Sequence, residues 1–289
     1  MHLDVLLILA SAVVGLLVGL TGVGGGALMT PMLVLLFGVA PSAAITSDLV
    51  AALFMKPAGV AVHWKHNNVN GELVRALCYG SLPGAFLGTY VLSRLGQSRT
   101  HEHQLQILLG AALIVGAVSI LARALRRVHA TSPRLVTKRG ATTLVGALGG
   151  FMVGLTSVGA GSLIVVLLLL LYPTIRNDHL VGTDLAQSVP LTLSATLGTL
   201  LFNHVNLSLT TSIIVGSVPM VIVGSLLSSR SNGHLLRLVI TAMVLLSGLK
   251  YVGTPVAALG VAALVLALVV GLVTWRRHRA TRVLVPETI

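Results

Sequence analysis

Three ionisable side chains sit where the sequence is otherwise apolar: Asp48, Lys56 and Asp184. In a membrane an unpaired charge costs ~2.5–3.5 kcal/mol on insertion scales, so a charge kept at depth points to binding or transfer. Lys56 lies well inside a stretch expected to form a helix over Ile45–His63, too far from either end for its ammonium to reach the interface. It offers a positive charge to an anion. Asp48 stands two turns away, so the two are not expected to pair within one helix. Asp48 and Asp184 follow Ser47 and Thr183, and each falls near the start of an expected helix. Two readings of the aspartates stay open. They cap free N–H groups at helix starts, or they carry protons or contact a cation as coupling residues.

Two glycine knots, Gly22-Val-Gly-Gly-Gly26 and Ser157-Val-Gly-Ala-Gly161, precede short apolar segments. The first matches the letters of a dinucleotide fingerprint, but no strand and crossover unit surrounds it and no Gly-Lys-Ser/Thr follows. A knot of this kind lets the chain turn inside the membrane and start a short helix. The first N–H groups of that helix carry partial positive charge. Two such starts, one from Gly24, Gly25 and Gly26 and one from Gly159 and Gly161, would converge as an anion cradle. The alternative is that the glycines only permit close helix packing. Thr183, Gln187, Ser188 and Thr192 add neutral hydrogen-bonding groups, and Thr192 stands where the other half has Lys56.

Metal chemistry has little support. The single cysteine, Cys78, lies in an apolar stretch, and the ten histidines show no ligand spacing. Asn67, Asn70, Asn203 and Asn206 fall at the turns of two helical hairpins, where capping is expected. No cofactor is implied.

The elements that carry these residues come in two copies. Val18-Gly-Leu-Thr-Gly-Val-Gly-Gly-Gly-Ala-Leu28 returns as Val153-Gly-Leu-Thr-Ser-Val-Gly-Ala-Gly-Ser-Leu163, and Gly80-Ser-Leu-Pro83 returns as Gly216-Ser-Val-Pro219. The offset is 135 residues at Val18/Val153 and 136 at Asp48/Asp184. Hydrophobic residues make up 55% of the chain and charged ones 9%, against about a quarter charged in soluble domains. The expectation is an all-α polytopic membrane protein of two related halves. The organisation read from the pattern is a first membrane repeat over 1–122, a basic linker over 123–140 and a second repeat over 141–252. An extra C-terminal transmembrane helix over 253–275 and a basic tail over 276–289 complete it. The segment Leu3–Leu20 has Asp4 instead of a basic leader and runs into the first knot without a cleavage site, so it is kept as structure.

Expected helices fall at Leu3–Leu20, Gly26–Val39, Ile45–His63, Leu73–Leu92, His103–Ala122, Ala141–Thr156, Gly161–Tyr172, Leu180–Phe202, Leu207–Ser229, Leu235–Tyr251 and Val256–Trp275. The chain has a net charge of +12, and its basic residues sit mostly between or after apolar segments, notably in the linker and the tail. This marks both as cytoplasmic and not as nucleic-acid-binding. An even number of crossings must then separate them. A helix over Gly161–Tyr172 spans only ~18 Å against a core of roughly 30 Å. Ala141–Tyr172 is therefore expected to form a glycine-broken hairpin, re-entrant or tilted. Each half then crosses an odd number of times, so the repeats are expected to be inverted.

Gly22–Pro31, Ser47-Asp-Leu with Lys56, Val62-His63, Gly80-Ser-Leu-Pro83, Ser157–Gly161 and the run Val181–Thr192 together resemble the TauE/SafE sulfite exporter family, also called the 4-toluene sulfonate uptake permease family. The resemblance covers about Gly15 to Arg230, in order and in both halves. It implies a multi-pass carrier of the bacterial inner membrane that moves sulfite, sulfonates or related small organosulfur or carboxylate anions. His63 joins Asp48 and Asp184 as a coupling candidate. Against the family pattern, Ser47 stands for Thr, Gln187 and Thr199 stand where His is common, and Asn70 and Asn206 replace Asp. The missing histidines at 187 and 199 weaken a proton relay in the second half.

The function expected is secondary transport of a small anion by alternating access. A cation or metal-ion carrier using Asp48 and Asp184 is the alternative within the same class. A membrane-embedded enzyme would need a nucleophile–base set or a metal cluster at depth, which the sequence lacks, and a channel would not show saturable, ion-coupled flux. The expected partners are the anionic substrate and membrane lipid, with no nucleic acid; homo-oligomerisation is compatible with the sequence.

Overall fold

The computed structural model describes residues 4–22, 24–63, 69–96, 99–125, 137–158, 163–172, 175, 177–228, 233–255 and 257–264. They are helical, without a strand among the described residues. In chain order the helices are α1 (Val5–Thr21), α2 (Gly26–Phe37), α3 (Pro41–His63), α4 (Gly71–Leu95), α5 (Arg99–Leu125), α6 (Arg139–Thr156), α7 (Leu163–Leu171), α8 (Asn177–Phe202), α9 (Leu207–Ser228) and α10 (Gly233–Tyr251). A further helical stretch, α11, occupies 257–264. The rest of the expected last helix and most of the basic linker lie outside the described residues.

Local chemistry explains the boundaries. Asp4 caps α1 by accepting from the N–H groups of Leu6 and Leu7 at 3.0 and 3.3 Å. Asn70 caps α4 through Glu72 and Leu73 at 3.1 and 3.2 Å. Asn206 accepts from Leu209 at 3.1 Å beside the start of α9, which leaves two of the four expected asparagine caps visible in this role. Both knot-preceding helices stop on a left-handed residue. Gly22 has φ 66°, with its N–H on the Val18 carbonyl, and Ser157 has φ 58°, with its N–H on the Val153 carbonyl.

The helices after the knots are short. α2 has 12 residues and α7 has 9, about 18 and 14 Å of rise against a hydrocarbon core of roughly 30 Å. By length and composition α5 over His101–Leu121, α8 over Gly182–Phe202 and α9 over Leu207–Ser228 can each cross a membrane. Large apolar side chains such as Leu6, Leu36, Leu148, Leu170 and Leu201 are exposed on the outer faces. Water would penalise that surface and lipid accepts it. The protein is an α-helical polytopic membrane protein.

The packing is symmetric under exchange of the halves. α1 lies along α9, and its counterpart α6 lies along α4; α4 meets α8 as α9 meets α3; α3 meets α8, and α5 meets α10. Small residues make the long contacts possible. A Cβ at Gly15 would stand 2.5 Å from the Ser217 carbonyl oxygen, and one at Gly150 would stand 2.3 Å from the Ser81 carbonyl oxygen. Gly15 and Gly150 are repeat counterparts, as are Ser217 and Ser81. Backbones at this separation gain van der Waals contact that lipid-facing side chains could not supply.

One expectation is overturned. α3 and α8 begin at Pro41 and Asn177, three to four residues before the expected Ile45 and Leu180. Asp48 and Asp184 are therefore the eighth residues of their helices, beyond the first turn where free N–H groups occur. The capping reading of both aspartates fails. The early start has a plain cause in α3, because Pro41 suits the first helical position.

Candidate functional site

The contact that organises the site joins the two halves. Lys56 on α3 donates from Nζ to the Thr192 Oγ1 on α8. The Thr192 hydroxyl gives its own proton to the Ser188 carbonyl at 2.6 Å, which leaves its oxygen lone pairs for the ammonium. Thr196 ties the same helices by donating to the Leu49 carbonyl at 3.0 Å. Lys56 is only half-buried, yet both carboxylates act on its charge, Asp184 more strongly than Asp48. A carboxylate from each half is therefore near enough to act on this one ammonium.

The first knot meets the second beside this group. A Cβ at Gly26 would stand 2.0 Å from the Ser157 carbonyl oxygen and 3.0 Å from its hydroxyl, so only glycine fits there. A Cβ at Gly25 would reach the Met55 methyl at 3.3 Å, next in sequence to Lys56. At Gly24 the backbone carbonyl accepts from Ala27 at 3.2 Å as α2 begins. Gly159 and Gly161 lie outside the described residues, as does the side chain of His63.

Asp48 is fully buried. Thr30 on α2 donates to its Oδ2 at 2.9 Å. Its Oδ1 has no hydrogen-bond partner. Gln187, also fully buried, donates from Nε2 to Ser81 Oγ on α4 at 2.7 Å, while its Oε1 is without a partner. Thr183 accepts from the Asn70 N–H at 3.4 Å. The bonds of Thr183 and Gln187 thus join the halves at α4, whereas the Lys56–Thr192 bond joins them at α3 and α8. Among the described residues no group of three or more His, Cys, Asp or Glu side chains could hold a metal.

Two residues of this group were not singled out by the sequence. Thr30 sits inside the quoted motif Gly22–Pro31 without a polar counterpart in the second half, where valines stand at 165 and 166. Ser157 was read as part of a turn. The available signal was asymmetry between the repeats, because Gly22 stands where the second half has Ser157.

The family model of the sulfite exporter TauE/SafE matches residues 7–251. A probable membrane transporter protein, YjnA, of Bacillus subtilis (strain 168) is 38% identical over 258 residues, covering 86% of this chain and all of that protein. A probable membrane transporter protein of Xylella fastidiosa (strain Temecula1 / ATCC 700964) is 30% identical over 248 residues, covering 82% of this chain and 90% of its own. YdhB, a further probable membrane transporter protein of Bacillus subtilis (strain 168), is 23% identical over 214 residues. No solved structure matches the chain.

Proposed function

Because the chain belongs to the TauE/SafE family of membrane transporters, we propose that it is a secondary carrier of the bacterial inner membrane that moves a small anion, a sulfite, sulfonate or related organosulfur compound, by alternating access. One observation carries this reading: Lys56 of one half bonds Thr192 of the other, beside the meeting point of the two glycine knots. A tetrahedral or pyramidal oxyanion would draw one charged hydrogen bond from Lys56, one from the Thr192 hydroxyl after rotation, and backbone donors from Gly25 and Gly26 at the start of α2.

The packing that repeats on exchange of the halves supports two inverted repeats that rock about the Lys56–Thr192 contact. Under this reading Asp48, Asp184 and His63 belong to coupling, and Gly24, Gly159 and Gly161 to the cradle. A cation carrier fits less well, because the Lys56 ammonium already acts with both carboxylates that would have to share the cation.

Lys56→Met tests the anion site in proteoliposomes loaded for uptake of radiolabelled sulfite and taurine. Loss of a charged hydrogen bond worth about 1.5–3 kcal/mol lowers affinity tenfold or more. Unchanged saturation curves for both anions would remove Lys56 from the site.

A further inference from the structure

We propose that Arg94, Tyr90 and Phe202 form a binding site for an anionic phospholipid in the leaflet opposite the linker. The guanidinium takes the headgroup phosphate, and the rings take the first part of an acyl chain. The inference needs only that the chain spans a membrane, and it does not depend on what the carrier moves.

The depth of Arg94 is set by its helix. Thr137 in the linker donates to Glu72 in the first turn of α4 at 3.2 Å. Arg94 stands in the last turn of the same helix. The rise from one to the other is ~33 Å, against a hydrocarbon core of roughly 30 Å. Glu72 and Arg94 therefore lie at the two headgroup levels, with Arg94 at the level away from the linker. With the basic linker on the cytoplasmic side, the loop-charge rule supplies no reason for an arginine at this end.

Phe86, Tyr90 and Arg94 recur at every fourth position and share one face of α4. Arg94 is exposed, and its guanidinium carbon lies 5.2 Å from the centre of the Tyr90 ring. Its Nε and one terminal nitrogen donate to the Tyr90 hydroxyl at 3.3 and 2.9 Å. The tyrosine thus holds the guanidinium in place and leaves its other N–H groups for a phosphate oxygen. Phe202 comes from α8 and meets both rings edge-on, at 5.2 Å from Phe86 and 5.3 Å from Tyr90. Asn203, next in the chain, fixes the junction by donating to the Thr89 carbonyl at 3.1 Å. Two helices so build a ledge of three rings, with Tyr90 and Phe202 exposed.

Charge and reach select the occupant. No carboxylate among the described residues forms an ion pair with Arg94. Glu102 accepts from Ser42, which packs against Gly96 just beyond Arg94. A zwitterionic headgroup would bring an ammonium with no acid to meet it, whereas a headgroup of net negative charge matches the guanidinium alone. Phe86 lies two turns, ~12 Å, deeper than Arg94. A free anion can fill only the upper level, and a phospholipid spans both. A basic residue in the last turn also suits the helix dipole, but the dipole does not call for a ring ledge beneath the charge.

Native mass spectrometry of the full-length protein tests the site without transport, on protein delipidated in detergent and titrated with phosphatidylglycerol or phosphatidylethanolamine. The wild type should bind phosphatidylglycerol roughly tenfold more tightly, as one charged hydrogen-bonded contact allows. Arg94→Gln should erase that difference, and Arg139→Gln at the linker end should leave it intact. Phe202→Ala should weaken both lipids alike and keep the preference. Phosphatidylglycerol should raise the melting temperature of the wild type and of Arg139→Gln but not of Arg94→Gln, which should melt like the wild type when lipid-free. A preference that survives Arg94→Gln, or a wild type with none, would overturn the proposal. So would displacement of phosphatidylglycerol by an equal concentration of glycerol phosphate, since the site would then take a free anion. A dimer that is lost in Phe202→Ala would also overturn it, because the ledge would then face a second copy of the chain.

Discussion

Lys56 and Thr192 occupy the same place in the two halves, 136 residues apart, and the lysine ammonium donates a hydrogen bond to the threonine hydroxyl. The contact joins matching positions of the two sequence repeats, and it is chemically lopsided, with a cation on one side and a neutral hydroxyl on the other. An anion bound there would be gripped unequally by two otherwise similar halves.

The Lys56–Asp184 relationship is open to a double-mutant cycle. Lys56→Met leaves Asp184 without the cation that it faces and should lower thermal stability; Asp184→Asn should do the same. The double variant should recover part of the loss, giving a coupling of roughly 0.5–3 kcal/mol between neighbours. Strictly additive melting shifts in detergent would separate the two residues.

The meeting of the knots gives a sharper steric prediction. Gly26→Ala places a methyl group 2.0 Å from the Ser157 carbonyl oxygen, and that backbone cannot yield without moving the knot. Gly25→Ala meets only the flexible Met55 methyl at 3.3 Å. Sulfite uptake in proteoliposomes should drop tenfold or more in Gly26→Ala and stay near wild type in Gly25→Ala, with equal membrane insertion of both.

Close approach of α4 and α6 should be a matter of stability. At Gly154 a Cβ would stand 2.1 Å from the Ala85 carbonyl oxygen, whereas at Gly140 nothing lies within 4 Å. Gly154→Leu should cost about 1–3 kcal/mol or more through overpacking, and Gly140→Leu should cost little. Thermal unfolding in one detergent, read for both variants, checks the contrast.

The cap on α4 offers a test confined to local structure. Asn70→Ala removes the acceptor for Glu72 and Leu73 and should cost about 0.5–2 kcal/mol. Asn70→Asp should retain the cap, because an ionised carboxylate accepts the same bonds. Equal melting of all three proteins would show that the cap contributes nothing.

The sequence alone determined the class, the helices and the two-fold repetition, because apolar runs, glycine knots and an offset of 135 to 136 residues are linear properties of the chain. It also singled out Lys56 as a candidate, since a charge inside an apolar run is visible without coordinates. It placed Asp48 and Asp184 at helix starts because Pro41 and Asn177, where the helices truly begin, stand outside the apolar core of each segment. Periodicity marks the buried part of a helix better than its first turn. Only the tertiary structure decided which residues meet. Thr192 became the acceptor for Lys56, Ser157 became the neighbour of Gly26, and Gln187 turned to Ser81. Each of these contacts spans more than 100 residues of chain. They arise from how the halves pack on one another, and a linear pattern does not carry that information.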